Sequence, residues 1–167
     1  MPVIDSHLHL FRAVSESYPR TIYPGLAEAD LDVPAEKLIT LMESAGVDKA
    51  IVVPLGPEDH YLAEIVKQYT GRFAGVGVYD KNAPDQAKNL DDRIKKSSIQ
   101  GIRIGEVDAN TDTPDDPRQF SMFPLLEAMA ERNLRVWFYA ESSQVQLLEK
   151  VLDVLPELTV VFNHCGF

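Results

Sequence analysis

Residues 2–11 are PVIDSHLHLF, a short apolar run that contains His7 and His9, two of the chain's four histidines. In a β-strand, residues i and i+2 point to the same face, so the two imidazole rings would project side by side. Each imidazole has a polar edge that needs a partner, which makes the pair a poor component of a hydrophobic layer. The run therefore predicts an opening strand whose histidines are either solvated, hydrogen-bonded in the core or ligands of a metal ion.

Five further β-branched runs follow and alternate with amphipathic segments. The predicted strands span residues 2–9, 49–55, 73–79, 100–104, 134–140 and 158–163. Between them, apolar residues recur at helical spacing, as Leu38, Leu41, Met42 and Ala45 do, which predicts five helices. The fifth is expected to begin at a serine cap, at 142 or 143. Strands that alternate with helices indicate a parallel α/β sheet, either open and doubly wound or closed in a barrel.

Length, charge and cysteine content bound the class of protein. The chain has 167 residues, 45% of them hydrophobic, which suffices for one packed domain. A formal charge of −10 argues against nucleic acid or an anionic membrane as a partner. The single cysteine excludes an internal disulfide and is compatible with the cytoplasm. Neither a secretion signal nor an apolar run of about 20 residues for a membrane helix is apparent.

The far end of the chain, VVFNHCGF at residues 160–167, again places a histidine, His164, after a β-branched run. If all strands are parallel, His7, His9 and His164 lie at carboxyl ends on one side of the sheet, where α/β proteins place their chemistry. Three imidazoles could supply three ligands of a zinc site. By contrast, His60 is predicted to be a surface or helix-terminal residue, and Cys165 a small buried residue.

Two loops are longer than most connections, and both follow the carboxyl end of a strand. The first runs from residue 11 to about residue 33 and contains Tyr18, Arg20 and Tyr23. The second, EVDANTDTPDDPRQ, spans residues 106–119. Each is predicted either to be a solvated loop or to contribute residues to a site.

Four segments resemble one family. VIDSHLHLF and VVFNHCGF resemble the first-strand and sixth-strand motifs of the amidohydrolase-related family of (β/α)8-barrel hydrolases and decarboxylases. QGIRIGE resembles its fourth-strand segment, and SMFPLLEAMAERNLRVW resembles the helix that leads into its fifth strand. The resemblance implies one TIM-barrel-type domain over residues 1–167, apparently truncated after the sixth strand, since a complete barrel needs about 250 residues. We expect the chain to be the first six βα units of a longer protein, or else a six-unit remnant that oligomerises.

The resemblance also implies roles for particular residues. In that family the first-strand histidines bind a divalent metal, usually zinc, or hold the substrate. The sixth-strand histidine contacts the metal or the substrate. His7, His9 and His164 are thereby expected to be metal ligands, with His164 also catalytic. The family's acid/base is an aspartate that ends the eighth strand and would lie beyond Phe167. Tyr139 stands where metal-binding members often have a histidine, as in the metal-independent lactonase branch, and its hydroxyl could donate to an oxyanion.

Arg103 lies inside the apolar run GIRIG, where an unpaired charge is very costly. It could pair with a buried carboxylate such as Asp5, or its planar fork could bind a substrate carboxylate. The preferred hypothesis is a metal-dependent hydrolase of this family, acting on a small carboxylated ester, lactone or amide. A decarboxylase, a metal-independent lactonase and a non-catalytic α/β binding domain are the alternatives.

Overall fold

Six strands alternate with five helices along the chain, as the sequence predicts. The structure is a computed structural model that describes residues 1–110 and 112–165, with only the backbone of residue 165, so the predicted burial of the Cys165 side chain lies outside the described residues. In chain order the elements are β1 Ile4–Leu8, α1 Ala35–Ala45, β2 Lys49–Val52, α2 His60–Gln68, β3 Phe73–Val78, α3 Gln86–Ser97, β4 Ile99–Ile104, α4 Phe123–Glu131, β5 Arg135–Phe138, α5 Ser142–Val154 and β6 Val160–Phe162. Short 3-10 turns lie at Pro117–Gln119 and Asn163–Cys165.

The chain forms two compact units, and the strands pair in parallel within each. The first unit comprises residues 1–80 and 93–100, and the second residues 81–92 and 101–167. In the first, β1 pairs with β2 and β2 with β3. In the second, β4 pairs with β5 and β5 with β6. Parallel neighbours joined by helices confirm the predicted βαβ units.

Helix α1 shows how the core of the first unit is built and where the sequence pattern is wrong. Gly46, at φ 69°, ends the helix in the left-handed conformation that glycine adopts without strain. The buried side chains are those of Ala35 and Met42, which lie two turns apart on one face. Leu41 was expected on that face, but it is 64% exposed because it lies about 100° around the helix from Met42.

In the second unit, β4 and β5 approach closely beneath α4. A Cβ atom on Gly101 would collide with the carbonyl oxygen of Arg135, so the strand pair requires glycine there. Phe138 of β5 and Leu126 and Met129 of α4 are completely buried and belong to the core. The serine cap expected for α5 is wrong, because residue 141 is the cap and makes no side-chain capping hydrogen bond.

The first long loop is ordered by one arginine. The guanidinium of Arg20 donates hydrogen bonds to five backbone carbonyls within the loop, those of Arg12, Thr21, Ala27, Glu28 and Leu31. It also lies over the ring of Phe11, 4.6 Å from the centroid. The alternative of a merely solvated loop is therefore wrong for Arg20, whose role here is structural. Among the described residues, each helix is too short or too polar to cross a bilayer.

Candidate functional site

Two imidazoles lie side by side where β1 ends. His7 belongs to the strand and His9 follows its last residue, and both side chains are half-buried. The rings are nearly perpendicular, with centroids 4.9 Å apart, and their Nε2 atoms are 3.4 Å apart. The expected projection of both rings from one strand end is confirmed, whereas their role as metal ligands stays a prediction.

The ring of His9 is oriented by the backbone that follows β2. Its Nδ1 atom lies 2.8 Å from the carbonyl oxygen of Val53. Since a carbonyl oxygen can only accept a hydrogen bond, Nδ1 carries the proton, and Nε2 of the neutral ring then offers a lone pair. The orientation of His9 thus presents an acceptor nitrogen on the side where His7 lies.

The separation of the two nitrogens fits two ligands of one cation. At a Zn–N distance of about 2.05 Å and a tetrahedral angle, two ligating nitrogens lie about 3.3 Å apart. The observed separation is 3.4 Å. A hydrogen bond from the other ring nitrogen to a carbonyl is also typical of histidines that bind metal. The same distance permits a hydrogen bond between two neutral rings, so the pair suits either a metal-bound or a metal-free site.

Arg103, Tyr139 and His164 form a second group of side chains at the carboxyl ends of β4, β5 and β6. The guanidinium carbon of Arg103 lies 4.8 Å from the centroid of the Tyr139 ring. That ring meets His164 edge to face, with centroids 5.2 Å apart. A cation over an aromatic face is stabilised by the ring's quadrupole. Strand register causes this grouping, because Arg103 is aligned with Trp137, and Tyr139 lies two residues further on the same face.

His164 has an unusual backbone conformation for a residue with a side chain. Strand β6 ends at Phe162, one residue earlier than expected, and His164 has φ 52° and ψ 29° in the following turn. Left-handed residues other than glycine are uncommon and are enriched at functional sites. The side chain is exposed, and its ring contacts Tyr139. Ser98 and Asn133 adopt the same conformation, at φ 51° and 53°, so the turn alone does not assign a function, and the catalytic role of His164 stays a prediction.

The predicted site residues are divided between the two compact units. His7 and His9 belong to the first unit, and Arg103, Tyr139 and His164 to the second. Among the residues that the structure describes, no three histidine, cysteine, aspartate or glutamate side chains are grouped to hold a metal ion. The meeting of all three histidines on one ion stays a prediction.

Of two further residues singled out in the sequence, one lies as predicted and the other does not. His60 is the first residue of α2 and its side chain is exposed, as predicted for a helix-terminal position. Asp5, offered as a buried partner for Arg103, is exposed instead, and its Oδ1 accepts a hydrogen bond from the backbone N–H of His7. Its observed role is to stabilise the backbone at the end of β1.

Sequence reasoning missed the buried polar group that orders the second long loop. Oδ1 of Asp108, a residue only 4% exposed, accepts hydrogen bonds from the backbone N–H groups of Ser121 and Asn110 and from the Asn110 side chain. Gln144 of α5 accepts from the N–H groups of Val107 and Asp108 and donates to the Asp108 carbonyl. The available signal was the Asp-x-Asn spacing, which is typical of an Asx turn.

Acid is expected to weaken this loop through Asp108. Burial by itself raises the pKa of its carboxyl group, but the hydrogen bonds from Ser121 and Asn110 outweigh burial and lower the pKa below 3.8. A lowered pKa in the folded state adds stability above the unfolded pKa, and that stability is lost as the pH falls through the folded value. We expect Asp108→Asn to lose this acid-sensitive contribution, so its unfolding free energy should fall less steeply below about pH 4.

Urea unfolding at several pH values measures this dependence. Asp112→Asn, at an exposed position of the same loop, is the matched control and should retain the wild-type pH dependence. Parallel pH profiles for the wild type and Asp108→Asn would contradict the interpretation.

Comparison with known proteins places these geometries in context. A family model described as amidohydrolase matches residues 4–167. No curated protein matches the chain. Among solved structures, a probable 2-pyrone-4,6-dicarboxylic acid hydrolase from Acinetobacter baumannii with citric acid bound has a TM-score of 0.67 at 19% identity, over 96% of this chain and 57% of that chain.

Two other solved proteins are similar. An amidohydrolase from Burkholderia multivorans with bound HEPES has a TM-score of 0.68 at 20% identity, over 99% of this chain and 58% of that chain. A second crystal form of it, with bound zinc, has a TM-score of 0.55 at 19% identity, over 96% of this chain and 68% of that chain. An uncharacterized TIM-barrel protein from Bordetella bronchiseptica has a TM-score of 0.57 at 17% identity, over 96% of this chain and 66% of that chain.

These likenesses show the fold. The alternation of parallel strands and helices is of the TIM-barrel type, as the motif resemblance implied, and six of its strands lie within the described residues. The chain spans 57% and 58% of the length of the first two solved chains.

Proposed function

The chain belongs to the amidohydrolase family, and on that premise we propose that the protein is a hydrolase that acts on a small carboxylated lactone, ester or amide. The observation that carries the proposal is the histidine pair of β1, whose Nε2 atoms are 3.4 Å apart with the His9 ring held on the Val53 carbonyl. Two convergent, pre-oriented imidazoles at the carboxyl end of a strand supply what hydrolysis of a carbonyl compound needs. They can either bind a cation or hydrogen-bond directly to the reacting groups, with the lone pair of His9 Nε2 as an acceptor.

The charge of the substrate follows from the second group of side chains. Arg103 brings a guanidinium to the carboxyl end of β4 and lies over the Tyr139 ring. A guanidinium binds a carboxylate through two parallel hydrogen bonds, which fix the orientation of the substrate as well as adding affinity. Two solved proteins of this fold support an anionic substrate, since one is named a probable dicarboxylic acid hydrolase and holds citric acid, and the other holds the sulfonate buffer HEPES.

Each residue then has a defined part in the proposed reaction. Arg103 binds the substrate carboxylate and orients the carbonyl group. The Tyr139 hydroxyl donates a hydrogen bond to the oxyanion that forms when water attacks. His164, next to Tyr139, contacts the same reacting group. The proton of the attacking water passes to the aspartate that we expect at the end of the eighth strand, beyond Phe167.

A divalent metal, for which zinc is our proposal, would be held by His7, His9 and His164. When bound, such an ion supplies Lewis acidity to a carbonyl oxygen. The fit of the first two ligands is supported by their 3.4 Å separation. The zinc bound in the Burkholderia multivorans amidohydrolase is consistent with this choice.

The second candidate is a metal-independent lactonase, which Tyr139 favours. This tyrosine stands at the end of β5, where a histidine would otherwise add a ligand, and tyrosine is a poor zinc ligand at neutral pH. In that case the neutral rings of His7 and His9 would hydrogen-bond to the substrate directly. Substrate binding by Arg103 is the same in both candidates.

We propose that the complete protein contains two further βα units and that it is a cytoplasmic enzyme. The support is the greater length of the solved relatives, of which this chain spans 57% and 58%. Strands β1 and β6 also expose apolar side chains that a neighbouring strand or helix could cover, with Ile4 51% and Phe162 48% exposed. A homo-oligomer is the alternative way to cover such surfaces.

The proposal is tested by comparing a dicarboxylate lactone, 2-pyrone-4,6-dicarboxylate, with its neutral dimethyl ester. We expect hydrolysis of the dicarboxylate, with Arg103→Met lowering kcat/KM by about 10- to 150-fold, the cost of losing a hydrogen bond to a charged group. The variant's preference for the dicarboxylate over the ester should shrink by the same factor. Arg118→Met, which removes a mostly exposed guanidinium paired with Asp116, is the control and should behave as the wild type. Equal loss on both substrates would contradict the assigned role of Arg103.

A further inference from the structure

A groove lies between α2 and α3 at the amino end of β3. Ala63, Val66 and Lys67 of α2 line it, together with Thr70, Gly71 and Phe73 after that helix. The opposite side is formed by Lys96 and Ser97 at the end of α3 and by Ser98, which follows it. We call this the amino-end groove. Its volume is about 370 Å³, within the range of small-molecule sites. All of these residues belong to the first compact unit.

A buried hydroxyl without a partner lines the amino-end groove. Ser97 is 2% exposed, and within the described residues its Oγ has no hydrogen-bond partner. Buried polar groups are nearly always hydrogen-bonded, because an unsatisfied donor or acceptor has lost its water without replacement. Because Ser97 lines the groove, a ligand bound there is a source of the missing partner.

The two lysines make the rim of the groove positive. Among the described residues, neither Lys67 nor Lys96 has a carboxylate within ion-pair distance, although the chain has a net charge of −10. They are not needed to cap the helix ends, since the Lys67 carbonyl accepts from the Thr70 hydroxyl and the Ile94 carbonyl accepts from the Ser98 N–H. Two ammonium groups are thus available to an anion.

We propose that the amino-end groove binds a small anion that carries an apolar group. The carboxylate or phosphate lies between Lys67 and Lys96 and accepts a hydrogen bond from the Ser97 hydroxyl. The apolar part packs against Val66 and Phe73, which form the apolar side of the groove. Because TIM barrels carry their chemistry at the carboxyl ends of the strands, this is a second site, separate in role from the proposed catalytic one.

The test is a titration of the 15N-labelled whole protein with three probes, followed by amide chemical shifts. Benzoate and phenyl phosphate represent the carboxylate and the phosphate, and benzyl alcohol is the neutral probe of similar shape. We expect saturable shifts confined to residues 66–73 and 96–98 for at least one anion, with benzyl alcohol binding at least about 10-fold more weakly. The stronger of the two anions identifies the anionic group. Absence of saturable shifts there with both anions overturns the proposal.

Variants distinguish specific binding in the amino-end groove from nonspecific attraction of an anion to surface lysines. We expect the double variant Lys67→Gln/Lys96→Gln to weaken anion binding by about 10-fold or more. The matched control is Lys37→Gln/Lys150→Gln, at exposed positions of α1 and α5, which should not change the affinity. Ser97→Ala should weaken binding by about 5-fold while leaving the melting temperature unchanged or higher. Equal weakening by both lysine pairs, or unchanged affinity in Ser97→Ala, contradicts the proposed site.

Discussion

Asp59→Ala is expected to lower the free energy of unfolding by about 3–5 kcal/mol, because it leaves a buried guanidinium without its counter-charge. Arg93 of α3 holds Asp59 through two parallel hydrogen bonds, Nε to Oδ2 at 2.6 Å and Nη2 to Oδ1 at 2.8 Å. The side chains are only 10% and 6% exposed. Arg93 also donates to the carbonyl of Val78 at the end of β3, so the pair joins α2, β3 and α3 in the first unit.

The loss can be attributed to the ion pair and not to helix capping. Asp59 precedes α2 at the cap position, but its side chain makes no capping hydrogen bond. Urea unfolding measures the effect, and the slope of the unfolding free energy against urea concentration should be the same in the variant and the wild type. The double variant Asp59→Leu/Arg93→Met, which removes both charges and keeps apolar volume, should recover most of the lost stability. Asp92→Ala, which breaks the exposed Lys88–Asp92 pair, is the control and should leave stability nearly unchanged. A double variant as unstable as Asp59→Ala would contradict this account.

The ion pair also shows what local sequence patterns leave out of a fold. The six strands and five helices were predictable because short, β-branched apolar runs alternate with segments in which apolar residues recur at helical spacing. The fifth strand was predicted too long, to Ala140, because apolar character continues past Phe138, its last paired residue. Asp59 and Arg93 are 34 residues apart and carry no periodic signal. Their pairing depends on how two helices pack, which one sequence does not specify.

The candidate site also has features that the sequence predicts and features that it does not. Side-by-side placement of His7 and His9 follows from strand geometry alone, so the sequence predicted it. The carbonyl of Val53 that orients His9 is a backbone group, which leaves no trace in residue identity. The stacking of Arg103 on Tyr139 depends on strand register, and the burial of Asp108 depends on a loop conformation. Side-chain types at strand ends can thus be predicted, whereas their partners cannot.

His9→Ala is expected to have the largest effect on activity, because it removes the ring that the Val53 carbonyl holds in place. Loss of a residue that merely orients a metal ligand typically costs 10- to 100-fold in metal affinity or activity. Loss of the ligand itself should therefore weaken zinc binding by more than about 100-fold and lower kcat/KM by at least as much. Zinc content by mass spectrometry and zinc affinity by calorimetry measure the first effect, and the kinetics of lactone hydrolysis measure the second. His60→Ala, at the exposed start of α2, is the control.

Adding a chelator to the wild type separates the two candidate mechanisms, and His9→Ala tests whether the histidine pair is needed in each. If His7 and His9 bind a metal, removing the ion should abolish activity in the wild type, and His9→Ala should neither retain zinc nor regain activity with it. If the two neutral rings act without a metal, chelation should leave the wild type active, while His9→Ala still loses activity. In both cases the 3.4 Å pair is required, because each mechanism uses the lone pair of His9 Nε2 opposite His7. A fully active His9→Ala enzyme would exclude both and leave the pair a structural feature of β1.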